Sequence, residues 1–118
     1  MNCAVVILNW NGKHHLEKFL PSVVKHTTDA DIIIADNASS DDSLDFLSKE
    51  YPQLRIIQNN KNYGFAKGYN EALEQIKGEY DSYILLNSDV EVSANWSQSL
   101  INRIKGKNHH YSIKSIFK

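Results

Sequence analysis

Four short apolar runs in this chain each lead into asparagine or aspartate. They are Ala4–Leu8 before Asn9, Ile32–Ala35 before Asp36, Leu54–Ile57 just short of Asn59, and Tyr83–Leu86 before Asn87-Ser88-Asp89. The first is continuous and β-branched, as a strand covered on both faces reads. If all four are parallel strands, their polar ends open on one edge of one sheet, which is where open α/β sheets bind ligands. No glycine-rich phosphate loop follows the first run, so an edge of amides and carboxylates suggests a nucleotide held through a metal ion.

Helical patterns separate the runs. Leu16, Phe19, Leu20, Val23 and Val24 put one apolar stripe on a helix, with Pro21 inside it predicting a kink or the first turn of a second helix. Ala38–Ser43 supplies capping residues and first-turn carboxylates for a helix carrying Leu44, Leu47 and Tyr51, with Phe46 on its flank. Phe65, Tyr69, Ala72, Leu73 and Ile76 mark a third helix closed by Gly78, and Trp96, Leu100, Ile101 and Ile104 a last one before Gly106. Strand and helix in alternation predict an α/β fold, a Rossmann-like parallel sheet with helices on both faces and right-handed crossovers. Residues 1–106 are expected to form this domain and residues 107–118 a frayed tail.

Size and composition narrow the function. A chain of 118 residues is one domain with room for a core. Thirteen basic and fourteen acidic residues leave a formal charge of −1, which gives no electrostatic case for nucleic acid. Cys3 is the lone cysteine, which excludes an internal disulfide and fits a reducing compartment. No apolar run approaches the ~18 residues of a membrane span, and the start shows no basic region or cleavage site. The expected location is the cytoplasm, with the inner face of the membrane as the second choice. His14-His15, His26 and His109-His110 lack zinc-site spacing, and no Gly-x-Ser-x-Gly or Gly-x-Gly-x-x-Gly turn occurs.

The chemistry-bearing residues cluster at the strand ends. Asp89, just past the fourth run, suits a Mg²⁺ or Mn²⁺ bridging to phosphates, with Asn87 beside it, although both residues also suit a turn or helix cap. Asp36 stands where an acidic residue commonly accepts from a ribose or base, or else makes an Asx-turn. Trp10 has two readings, stacking on a base or covering the core. Gly64 and Gly68, at the start of a helix, allow close backbone approach, and Lys67 answers phosphate charge there; Gly68 alone is explained as well by helix-to-sheet packing. The whole interpretation requires Asp36 and Asp89 to share one crevice.

Four stretches taken in order carry a resemblance: Val5-Val6-Ile7-Leu8-Asn9-Trp10-Asn11, Ile34 through Asp41, Asn62 through Asn70, and Leu86-Asn87-Ser88-Asp89-Val90-Glu91. Together they resemble the nucleotide-binding half of a family 2 glycosyltransferase of the GT-A fold, closest to rhamnosyltransferase-like members that build surface polysaccharide. The resemblance implies an enzyme that transfers a sugar, with inversion, from a nucleoside-diphosphate sugar to a polysaccharide or lipid-linked acceptor. It implies that Leu8, Trp10, Asn11, Asp36, Asn62, Gly64, Lys67, Asn70 and Asn87 hold the nucleotide sugar. Asn87-Ser88-Asp89 stands at the family's Asp-X-Asp motif, with Asp89 the metal ligand and an amide replacing the first acid.

Family members continue into an acceptor-binding half that carries the catalytic base. No residue here takes that role, the chain reads as truncated, and its sheet is expected to leave an exposed edge open to self-association. Two alternatives stand beside this reading. One is a non-catalytic fragment that keeps the fold as an interaction module. The other is a receiver-like signalling domain, although such domains carry paired acids where this chain has Asn9-Trp10-Asn11.

Overall fold

The computed structural model describes residues 2–105 and 112–116. The order of elements is β1 (Cys3–Asn9), α1 (Lys13–His26), β2 (Asp31–Asp36), α2 (Ser43–Glu50), β3 (Arg55–Gln58), α3 (Phe65–Gln75), β4 (Ser82–Leu86), α4 (Trp96–Lys105) and β5 (Ser112–Ile116). One parallel sheet has the strand order β3-β2-β1-β4-β5. Asn9 lies opposite Asp36, and Ile7 opposite Leu86, so the predicted polar ends do reach a common edge.

The sheet is apolar on both faces because successive side chains alternate across it. Val5, Ile7, Ile34, Ile84 and Leu86 face Leu16, Leu20 and Val23 of α1, Leu47 of α2 and Ile101 of α4. Ala4, Val6, Ile33, Ala35, Ile57 and Leu85 face Tyr69 and Ala72 of α3, with Ile76 just beyond it. The chain steps outward from β1 to β3 and then crosses back to β4. A right-handed crossover after that reversal sets α3 on the face opposite α1 and α2.

Two expectations change. Residues 107–118 were expected to fray, yet Ser112–Ile116 pairs along the whole of β4. Alternating polar residues hid this strand, since Ser112, Lys114 and Ser115 dilute the apolar signal. β4 is therefore not a sheet edge. Pro21, in turn, does not start a second helix; α1 runs through it. The ring there is exposed and the helix is held by Leu16, Leu20 and Val23 on its buried face, which offsets the lost backbone bond. α4 is tied back to the loop before β2, with Trp96 Nε1 donating to Thr27 Oγ1 at 3.0 Å and the Ser97 hydroxyl to Asp29 Oδ1 at 2.9 Å.

Candidate functional site

The strand order reverses direction between β1 and β4, and the crevice outside such a point is the usual ligand site of an open α/β sheet. A cleft of about 290 Å³ opens there, lined by Leu8, Trp10, Asn37, Asn62, Gly64, Phe65 and Asn87. Five of the predicted residues (Leu8, Trp10, Asn62, Gly64 and Asn87) therefore meet on one wall set. Asn11, Asp36, Lys67, Asn70 and Asp89 are not among its lining residues.

Asp36 shows why. It is fully buried, and its carboxylate accepts from Asn9 Nδ2 at 3.0 Å, the Ser39 hydroxyl at 2.8 Å and the Ser39 N–H at 2.9 Å. A buried carboxylate needs such donors, and neighbouring loops supply them. The expected pairing of Asp36 with Asp89 across one crevice is thus not what the cleft walls present. Asp36 instead fixes the end of β1 against the turn after β2.

Asn11 is spent in the same way. Its backbone sits at φ +49°, and its Oδ1 accepts from the Ser40 N–H at 2.7 Å and the Asp41 N–H at 3.1 Å. Asp41 closes the clamp from the other side by accepting from Lys13 N–H and from both polar groups of Ser43. Burial pushes its carboxyl up, but those hydrogen bonds outweigh burial and hold it below the ordinary value. The loops after β1 and β2 are locked together beside the cleft.

A second web is built on Asn37 and Asn59, which the sequence did not single out as site residues. Asn37, buried on the cleft, donates to the Gly64 carbonyl at 2.9 Å and to Asn62 Oδ1 at 3.3 Å. Its Oδ1 accepts from Asn59 Nδ2 at 2.8 Å, and that amide also reaches the Gly68 carbonyl at 3.1 Å. Because Asn62 Oδ1 accepts a further bond from the Gly64 N–H at 2.9 Å, its amide nitrogen is the group with bonding capacity left over. The only sequence signal for this web is the density of asparagine after each strand.

The glycines divide by mechanism. Gly64 caps the start of α3 at φ +80°, ψ −165°, a region that side chains avoid, while a Cβ there would meet nothing within 4 Å. Gly68 has the opposite reason, since a Cβ would lie 2.6 Å from Asn37 Nδ2 and 3.0 Å from Leu8 Cδ1. Gly68 therefore serves helix-to-sheet packing. Tyr69 then bridges the reversal itself, donating to the Leu86 carbonyl at 2.8 Å and accepting from the Leu8 N–H at 3.4 Å. Burial pushes its phenol up to about 12, against the Leu8 bond, so it is a neutral strut.

Lys67 Nζ lies over the Tyr63 ring, 5.1 Å from its centroid. Asp89 is half-buried, and its Oδ1 is buried with no hydrogen-bond partner among the described residues. An unpartnered buried carboxylate oxygen fits cation ligation, because a hard divalent ion takes oxygen donors. Among the described residues no three His, Cys, Asp or Glu side chains gather to hold a metal. Asp89 is the residue that would hold a cation there.

The sheet, its reversal and the crevice above it define an open α/β ligand-binding domain of GT-A-like architecture. The sequence pattern of glycosyl transferase family 2 matches residues 4–118, and the chain belongs to that family. It is 32% identical to a poly(ribitol-phosphate) beta-glucosyltransferase of Bacillus spizizenii, over 100% of this chain and 21% of that protein. It is 29% identical to an N-acetylglucosaminyl-diphospho-decaprenol L-rhamnosyltransferase of Mycobacterium tuberculosis, over 61% of this chain and 24% of that one.

Among solved structures, S. aureus TarS 1-349 in complex with UDP-GlcNAc superposes with a TM-score of 0.73 at 22% identity, covering 90% of this chain and 32% of TarS. The mannosyltransferase PcManGT from Pyrobaculum calidifontis, in complex with GDP-Man and Mn2+, gives 0.67 at 20% identity over 88% and 31%. The chain spans between a fifth and a third of these proteins' lengths. A signalling receiver is set aside by the family match. Among the described residues no helix is long and apolar enough to cross a membrane.

Proposed function

We propose that this chain is the donor-binding part of an inverting, metal-dependent glycosyltransferase that takes a nucleoside-diphosphate sugar and serves a polysaccharide or lipid-linked acceptor at the cytoplasmic side. The observation that carries the reading is the cleft at the strand reversal, where Trp10, Asn62, Gly64 and Asn87 meet in a family 2 chain. At about 290 Å³ the cleft is at the small end for ligand sites and suits a nucleoside rather than a whole sugar nucleotide.

Trp10, 54% exposed, offers a flat face to the base. Asn62 Nδ2 and Asn87 provide the polar contacts. Gly64 and Phe65 on the cleft wall bring the first turn of α3 to it, where the helix dipole favours a diphosphate. Asp89 is the carboxylate that would hold a divalent cation. When bound, the cation supplies charge neutralisation for the departing nucleoside diphosphate. Inversion then needs an acceptor hydroxyl that attacks the anomeric carbon as a base takes its proton, and no residue of this chain is assigned that base.

Isothermal titration with UDP and with GDP, each with and without Mn²⁺, tests the reading. One of the two is expected to bind, more tightly with Mn²⁺, and the Mn²⁺ gain should vanish in Asp89→Ala. Failure of both nucleotides under every condition would remove the proposal.

A further inference from the structure

Two large hydrophobic side chains are exposed among the described residues, Trp10 at 54% and Phe65 at 48%, and both line the same cleft. They come from elements on opposite sides of the sheet. Trp10 lies in the loop that leads into α1, whereas Phe65 opens α3, which packs on the other face. The cleft thus has an aromatic side chain on its wall from each of these two elements. Scattered exposed apolar residues need no explanation, but the two together on one crevice do.

Phe65 is also held in place. Its ring stands edge-on to Tyr69, with centroids 5.3 Å apart and planes at 73°. Tyr69 is fixed in turn by its hydrogen bonds to Leu86 and Leu8. The ring is oriented before any ligand arrives, which lowers the entropy lost on binding.

We propose that Phe65 forms the second wall of the base slot, so that the nucleobase is held between Trp10 and Phe65. This rests on the donor-site reading above. A planar, two-faced ring is the occupant that uses both walls, and stacking tolerates any base because each has a π-face. The pair thus sets affinity for the nucleoside, while the choice among bases falls to the polar groups Asn62 and Asn87.

The test compares Phe65→Ala, Phe65→Leu and Phe65→Tyr in the 118-residue chain, titrated with UDP and GDP in Mn²⁺. Loss of one stacking face is expected to weaken the bound nucleotide about tenfold or more in Phe65→Ala. Phe65→Leu should stay weak and Phe65→Tyr should restore wild-type affinity, with thermal midpoints unchanged throughout. If Leu restores binding as well as Tyr, the ring acts only by bulk and the inference is wrong. Equal affinity in Phe65→Ala also overturns it, yet leaves the donor site standing. If the wild type binds neither nucleotide, both readings fall together.

Discussion

Asn59 Nδ2 donates to Asn37 Oδ1 at 2.8 Å, joining the end of β3 to the end of β2 in a buried contact 22 residues apart in sequence. Through Asn37 this bond continues to the Gly64 carbonyl and so anchors the start of α3 on the cleft.

Replacing Asn37 with alanine leaves the Gly64 carbonyl with the Gly68 N–H alone and removes one acceptor of Asn59. Leaving buried polar groups unpaired costs about 1–3 kcal/mol. A urea denaturation of Asn37→Ala should show a loss of about 2 kcal/mol with an unchanged slope. An effect within experimental error would show that the web is ornamental.

Asp36 and Asp89 should behave oppositely, although both are carboxylates at strand ends. Asp36 accepts three internal bonds, so Asp36→Ala should cost about 3 kcal/mol or more in the same experiment. Asp89 Oδ1 has no hydrogen-bond partner among the described residues, so Asp89→Ala should leave stability unchanged or slightly raised while abolishing the Mn²⁺ contribution to nucleotide binding. EDTA should reproduce the binding loss in the wild type.

Gly68→Ala and Gly64→Ala separate packing from backbone conformation. At Gly68 the new methyl collides with Asn37 and Leu8, an overpacking cost of about 1–3 kcal/mol. At Gly64 there is open space but φ is +80°, so the cost of about 1–3 kcal/mol is local strain. In double-mutant cycles Asn37→Gly carries its own cost, but with Gly68→Ala the pair should lose less than the sum of the two single changes, because the clash is gone, whereas with Gly64→Ala no such relief of a clash is available. Thermal melts of the single and double variants decide it.

The alkaline limit follows from two buried acids. Burial, reinforced by Asp29, pushes the Cys3 thiol up from 9.0 to about 11, and burial pushes the Tyr69 phenol from 10.0 to about 12. Folding favours the neutral form of each, so this stabilisation is complete below pH ~9 and is lost as pH rises through 11 to 12. Melting midpoints should stay level from pH 7 to 9 and then fall, less steeply in Tyr69→Phe. Cys3 should resist thiol reagents at pH 8 in the folded chain, and rapid labelling there would contradict its burial.

Local pattern alone was enough to read the four strand runs, the helices between them and the polar edge, because apolar periodicity reports which faces must leave water. The family was legible for the same reason, as Trp10, Asn62, Gly64 and Asn87 sit at fixed offsets from those strands. Only the tertiary structure decided which polar side chains face a ligand and which are consumed inside. Asp36, Asn11 and Asn37 differ little from Asn62 and Asn87 by position after a strand. Their roles depend on partners 22 to 29 residues away: Asn9 for Asp36, Ser40 for Asn11 and Asn59 for Asn37. The same holds for Gly68, whose missing Cβ matters only because Asn37 and Leu8 arrive beside it. Hydrogen-bond partners are chosen by distance in space, and spacing along a chain does not encode that distance.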